Sequence, residues 1–288
     1  MLPGPGTPHL RRFVYFLRAI WAGIERDDVG FYAAAIAYHG LFGIFALFLL
    51  LTLLLSLLGI DPATLKALIH FTTGLVPERA EELVNTALQV MTAPAPGPLL
   101  VLSFVFTLWT ASNVIQVIIH ALNRIYHLRE EEERPPWQSR LIALGIVGVS
   151  TLLLAFGFLL LVFGEDFATR STSFGHLWPS IATLLKSGRQ VISLLAVFGG
   201  SFLIYYLAPS FGHDHRISWP GAVVFTAMWT CATAGFNLYL REFAVYDKAY
   251  GPFATVIVVL VWVYLSAYVC LLGGEVNAAL GQMRSRRL

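Results

Sequence analysis

The sequence predicts an all-α, polytopic membrane protein of six transmembrane helices, N-in and C-in, with an N-terminal amphipathic helix and an external helical hairpin. Three observations carry that expectation. Of 288 residues, 57% are hydrophobic and only 12% charged, with a mean hydropathy of +0.70, outside the range of soluble domains that must cover themselves with charge. The stretch 253–272 carries no charge at all. At about 1.5 Å rise per residue it spans roughly 30 Å, the hydrocarbon thickness of a bilayer. Finally, apolar runs of comparable length recur along the chain between breaks that carry proline, aspartate or clustered arginine.

The first segment, 1–30, is interfacial: Leu10, Phe13, Val14, Leu17, Trp21 and Ile24 share one helical face, with Arg11, Arg12 and Arg18 off it. That stripe serves either a helix lying on anionic headgroups or one packed on the protein's own inner face. With no short apolar core before a small-residue cleavage site, no cleaved signal is expected. The membrane domain then runs over 31–282. Asp27 and Asp28 offer N-cap chemistry to a first span at 31–58, whose Gly30, Ala33, Ala34, Ala37 and Gly40 let a neighbour approach closely. His39 in that span reads as a satisfied buried histidine. Asp61-Pro62 and Pro77-Glu78 open two helices too polar to span, a hairpin at 61–92 closed by Pro94, Pro96 and Pro98. The remaining spans are 99–122, 141–163, 189–207, 219–240 and the charge-free stretch itself, followed by a basic tail at 283–288. Cys231 and Cys270 lie inside apolar runs and read as small buried hydrophobes.

Six spans place both termini on one side, and twelve of the 19 Lys and Arg then fall on that side, clustered in the 123–140 loop and the C-terminal tail. The positive-inside rule makes it the cytoplasm. Net charge is only +2, so no overall field points to nucleic acid.

Polar residues collect on faces of three spans. Thr226, Thr230, Thr233, Asn237 and Arg241 form a narrow stripe on the fifth, and Ser103, Thr107, Thr110, Asn113, Gln116 and His120 follow a drifting face of the second, continuing to Asn123 and Arg124. Tyr264, Tyr268 and Glu275 share a face of the sixth, while the third is nearly all apolar and faces lipid. Ser and Thr on such faces are mostly interhelical glue. Intramembrane Asn, Gln, His and Glu are costly and mark pathways. The expected substrate path is therefore Asn113, Gln116, His120, Thr230, Thr233, Asn237, Tyr264, Tyr268 and Glu275, in a cavity open to the cytoplasm, with Arg124 and Arg241 as a cytoplasmic gate. Glu275 has a second reading, as a structural partner of an inner-loop arginine.

Several of these stretches, notably Ala-Leu-Asn-Arg-Ile-Tyr at 121–126, Tyr246 to Gly251 and Gly-Gly-Glu-Val-Asn at 273–277, resemble the YihY/BrkB family of bacterial inner-membrane proteins, the likeness running from about Phe13 to Gly281. The chain departs from the family pattern at Gly43-Ile44, where a proline is usual. The resemblance implies six helices, multi-pass residence in the inner membrane and an envelope role. Members have carried the labels ribonuclease BN and virulence or serum-resistance factor, and a transport activity is suspected.

Among function classes, nuclease chemistry needs a ligand constellation, and its candidates are Glu130 to Glu133 and His213-Asp214-His215. The glutamates, bracketed by arginines, read as a solvated loop, and a lone His-x-His rarely holds metal. HExxH, G-x-S-x-G and Walker motifs are absent, so no enzyme activity, metal or cofactor is expected. A transporter or translocator of a polar solute or lipid uses the polar faces. A non-transporting envelope scaffold does not, and would dock through the 61–92 hairpin. The partners expected are the lipid bilayer, the solute or lipid carried and a homo-oligomeric copy, with no nucleic acid.

Overall fold

The computed structural model describes residues 8–58, 97–149, 178–210, 218–242 and 252–285, and every regular element among them is helical. In chain order these are α1 (Pro8–Arg26), α2 (Val29–Leu58), α3 (Gly97–Ile125), a 3-10 turn at Glu130–Glu132, α4 (136–149), α5 (Trp178–Leu207), α6 (Trp219–Glu242) and α7 (Pro252–Ser285). The hairpin expected at 61–92, the far half of the third span and the His213 to His215 group lie outside the described residues. Among the described residues, three helices are long and apolar enough to cross a membrane, at Val101–Ile125, Trp219–Tyr239 and Val256–Met283, and shorter apolar helices occupy Val29–Ile44 and Ser193–Leu207.

α1 closes where Asp28 adopts φ 53°, a left-handed conformation that aspartate tolerates better than most residues. The expectation that Asp27 and Asp28 cap α2 is corrected here. Their carboxylates accept from Arg26 at 2.8 Å and from Arg124 at 2.5 Å, so they end α1 and tie it down instead of closing the first turn of α2. α1 rests on α7 by its buried Gly23 edge, while Val14, Leu17 and Trp21 of its apolar stripe stay exposed.

α2 packs on both α3 and α7, and of its small residues Ala33, Ala37 and Gly40 act as expected while Ala34 is exposed. A Cβ on Gly40 would stand 3.0 Å from Val263, and Ala33 and Ala37 are buried beside Val29 and Ile36 on the same face. The helix runs unbroken through Gly43-Ile44. His39 is only half-buried, with its ring 5.3 Å from that of Tyr38, so the expected burial is partial.

α3 ends in a Schellman motif: Leu128 N–H donates to Asn123 C=O at 3.0 Å and His127 N–H to Arg124 C=O at 2.9 Å, with His127 at φ 53° where glycine is usual. Arg134 in the following loop donates to the Leu207 carbonyl at 3.1 Å and so caps α5. Burial there lowers its pKa from the ordinary arginine value. On α4, the described part of the expected third span, Leu141, Leu144 and Val149 are exposed.

α5 starts at Trp178 and α7 continues to Ser285, both well beyond the spans expected from hydropathy. Apolar runs report the part of a helix that meets hydrocarbon, whereas the extension of α7 is held by protein contacts. The extension of α7 is the most enclosed segment described: Gly273 to Ala279 are all buried, where α1, α3, α5 and α6 converge.

Candidate functional site

Residues 273–277 form that convergence, and each uses its chemistry differently. Gly273 is pressed against the Tyr205 hydroxyl of α5 and the backbone of α6 at Gly221, so neither glycine has room for a side chain. Tyr205, fully buried, donates to the Cys270 carbonyl at 2.6 Å, which satisfies its hydroxyl inside an apolar cluster. A Cβ on Gly274 would meet Leu122 at 2.7 Å. Asn277 accepts the Gly221 N–H at 2.7 Å and donates to the Ser218 carbonyl at 3.3 Å, closing the first turn of α6. Asn123 makes the matching tie from α3, to Ser210 beyond α5, through its amide at 2.9 Å and its carbonyl at 3.0 Å. Glu275 alone is left over. Its carboxyl lies against Gly23 and within hydrogen-bonding reach of Asp27, and its Oε1 has no partner among the described residues.

A second polar place lies between α6 and α7. The two helices run antiparallel, since Gly221 meets Asn277 while Trp229 donates to Ser266 at 3.0 Å. Farther along the same seam, Thr233 Oγ1, Asn237 Oδ1 and Trp262 Nε1 are buried without hydrogen-bond partners among the described residues. Thr226 and Thr230, on the same stripe, instead bond back to their own helix at Ala222 and Thr226.

A third place is a cleft of about 460 Å³ at the end of α3, lined by Phe31, Tyr32, Val117, His120, Arg124 and Glu133 among others. It brings His120 and Arg124 together, with half-buried Gln116 one turn away.

The expected single path divides accordingly. α3 and α6 are not among the closely packed pairs, because α2 lines α3 and α7 lies between. The face of α3 is taken up by neighbours: Thr107 donates to the Ala46 carbonyl of α2 at 2.9 Å. Asn113 accepts from Arg140 of α4 at 2.7 Å, with that guanidinium 4.1 Å over the Trp109 ring. Tyr264 and Tyr268 pair at 6.1 Å, and Tyr264 meets α2 at Gly30, not α6. Arg124 pairs with Asp28, not with Glu275. Arg241 belongs to the end of α6 remote from Arg124, so the two do not form one gate. Cys270 is buried as expected, but Cys231 is exposed. Among the described residues, no three His, Cys, Asp or Glu side chains converge as a metal set.

Two participants escaped the sequence. Trp262 hides its N–H inside an apolar run, where an indole counts as hydrophobic. Asp27 looked like a helix cap, and only its burial at 3% exposed, beside Glu275, distinguishes it.

Comparison with known proteins places these residues in a family context. The family described as Virulence factor BrkB matches residues 20–288. A ribonuclease-like protein, YfkH of Bacillus subtilis, is 32% identical over 71% of this chain and 74% of its own length. The UPF0761 membrane protein YihY of Salmonella arizonae is 31% identical over 96% and 91%, and a UPF0761 membrane protein of Enterobacter sp. is 30% identical over 97% and 93%. No solved structure matches.

Proposed function

Since the chain belongs to the BrkB/YihY family of membrane proteins, we propose that it is a six-span, N-in and C-in protein of the inner membrane that moves a polar solute or a lipid across or within the bilayer. The observation that carries this reading is the seam between α6 and α7, where Thr233, Asn237 and Trp262 hold buried polar atoms without partners among the described residues. Each such atom costs about 1–3 kcal/mol, and hydrocarbon offers no water to offset it. Packing alone has no use for three of them in a row. Water threading the seam, or a passing polar group, satisfies all three. The same reading assigns no catalysis to the chain, and takes the hub at 273–277 as the fixed frame against which the seam opens.

Single cysteines at Thr233 and Asn237, on a background with Cys231 and Cys270 replaced by serine, test it. In sealed vesicles both positions are expected to react with a small polar thiol reagent, while a cysteine at Val147 on α4 does not. If 233 and 237 prove unreactive from both sides, the stripe is interhelical packing and a scaffold role takes its place.

A further inference from the structure

Glu275 raises a question that translocation through the α6 seam does not answer. It sits about 20 Å along α7 from Trp262, at 13 residues' separation, and faces α1. Glu275 and Asp27 are each only 3% exposed. Gly23 makes their meeting possible, because any Cβ there would occupy the position of the Glu275 carboxyl. Arg26 forks onto Asp27 at 3.2 and 2.8 Å. The other charged groups around the pair are already placed. Arg124 is bound to Asp28 and to the Arg26 carbonyl, and His127 Nδ1 stands 3.9 Å from Asp27 Oδ1. Two buried carboxyl groups thus stand beside one guanidinium that is bonded to Asp27, and Glu275 Oε1 has no hydrogen-bond partner among the described residues.

An uncompensated buried charge costs several kcal/mol, so a set of two carboxylates and one guanidinium is short of one positive charge. We propose that Asp27 and Glu275 form a binding site for one exchangeable monovalent cation, a hydron or a sodium-sized ion, which clamps the interfacial helix α1 to α7. A divalent ion would overbalance the set. The cation neutralises the junction and takes up the free Oε1. Its departure leaves two carboxylates facing each other and pushes α1 off the bundle, so occupancy is coupled to the position of α1 on the membrane surface. The site is separate from the α6 seam, and either can fail without the other.

The test is the thermal unfolding of the full-length protein in lipid nanodiscs, between about pH 5 and pH 9 and over a range of sodium balanced by N-methylglucamine at constant ionic strength. Because the cation binds the folded state, the melting temperature rises with its concentration by mass action, by a few degrees for each tenfold increase above the dissociation constant. A hydron site responds to falling pH whatever the sodium. A sodium site responds to sodium at fixed alkaline pH. Glu275→Gln removes the response in either case, and Gly23→Ala, which displaces the carboxyl without removing it, weakens it. His127→Gln leaves it in place and so separates Glu275 from the neighbouring imidazole. Should Glu275→Gln fail to fold, Asp27→Asn gives the same readout. If the wild type responds to neither cation, or responds just as Glu275→Gln and Asp27→Asn do, the site does not exist.

Discussion

Asn277 of α7 supplies both a hydrogen-bond acceptor and a donor to the start of α6, through Gly221 N–H at 2.7 Å and the Ser218 carbonyl at 3.3 Å. Replacing it by alanine strands both backbone groups in a buried place. Asn277→Ala is expected to cost about 1–3 kcal/mol, read as a lowered melting temperature of the purified protein. A loss under about 0.5 kcal/mol, the level of an ordinary surface substitution, would mean that α6 does not depend on this tie.

Gly273 and Gly281 lie on the same helix but differ in their surroundings. A methyl at Gly273 would press on the Tyr205 hydroxyl and on the Gly221 carbonyl oxygen at 2.8 Å, while Gly281 has open space. Gly273→Ala is therefore expected to destabilise by about 1–3 kcal/mol through overpacking. Gly281→Ala should be neutral or gain up to about 1 kcal/mol in helix propensity. Paired melting curves check this, and equal effects would remove the close α5–α6–α7 contact.

Arg124 and Asp28 approach to 2.5 Å, yet their side chains are 45% and 53% exposed. Solvent screening limits such a pair to under about 1 kcal/mol. A double-mutant cycle with Arg124→Ala and Asp28→Ala should return a coupling below that value, shrinking further as salt is raised. A larger coupling would show that the pair is desolvated in the membrane.

Orientation is tested by reporters. A fusion after Leu288 is expected to score cytoplasmic and an insertion near Thr92 external, following the charge bias of the proposed six-span arrangement. A cytoplasmic score at Thr92 would overturn that topology.

Glu130 to Glu132 form an exposed 3-10 turn followed by half-buried Glu133, and Arg129 N–H donates to Glu132 Oε2 at 3.2 Å. Purified protein is expected to show no metal-dependent RNA cleavage, and alanine at all four positions should change nothing. Robust cleavage that disappears in that variant would establish the nuclease reading.

Much of the architecture was legible because hydrocarbon imposes simple demands. The charge-free run in α7, the small residues of α2 and the apolar face of α4 follow from length, bulk and polarity, which one-dimensional pattern records directly. The polar faces were legible as faces. Their destinations were not, since a stripe on one helix carries no record of which neighbour covers it.

Asn113 and Asn237 illustrate the division. Both are asparagines on polar stripes of apolar helices, and helical periodicity treats them alike. Asn113 Oδ1 accepts from Arg140 of α4, whereas Asn237 Oδ1 is buried with no partner among the described residues. Glu275 shows the same limit: its sequence neighbourhood admits a pairing with an inner-loop arginine, and the bundle instead sets it against Gly23 and Asp27. The sequence by itself determined that these polar groups lie on helices within or beside the bilayer, because hydropathy and periodicity are local properties. Which of them find partners among the described residues and which keep a polar atom unpaired there was decided only by the tertiary structure, because hydrogen-bond satisfaction depends on contacts between segments far apart in the chain.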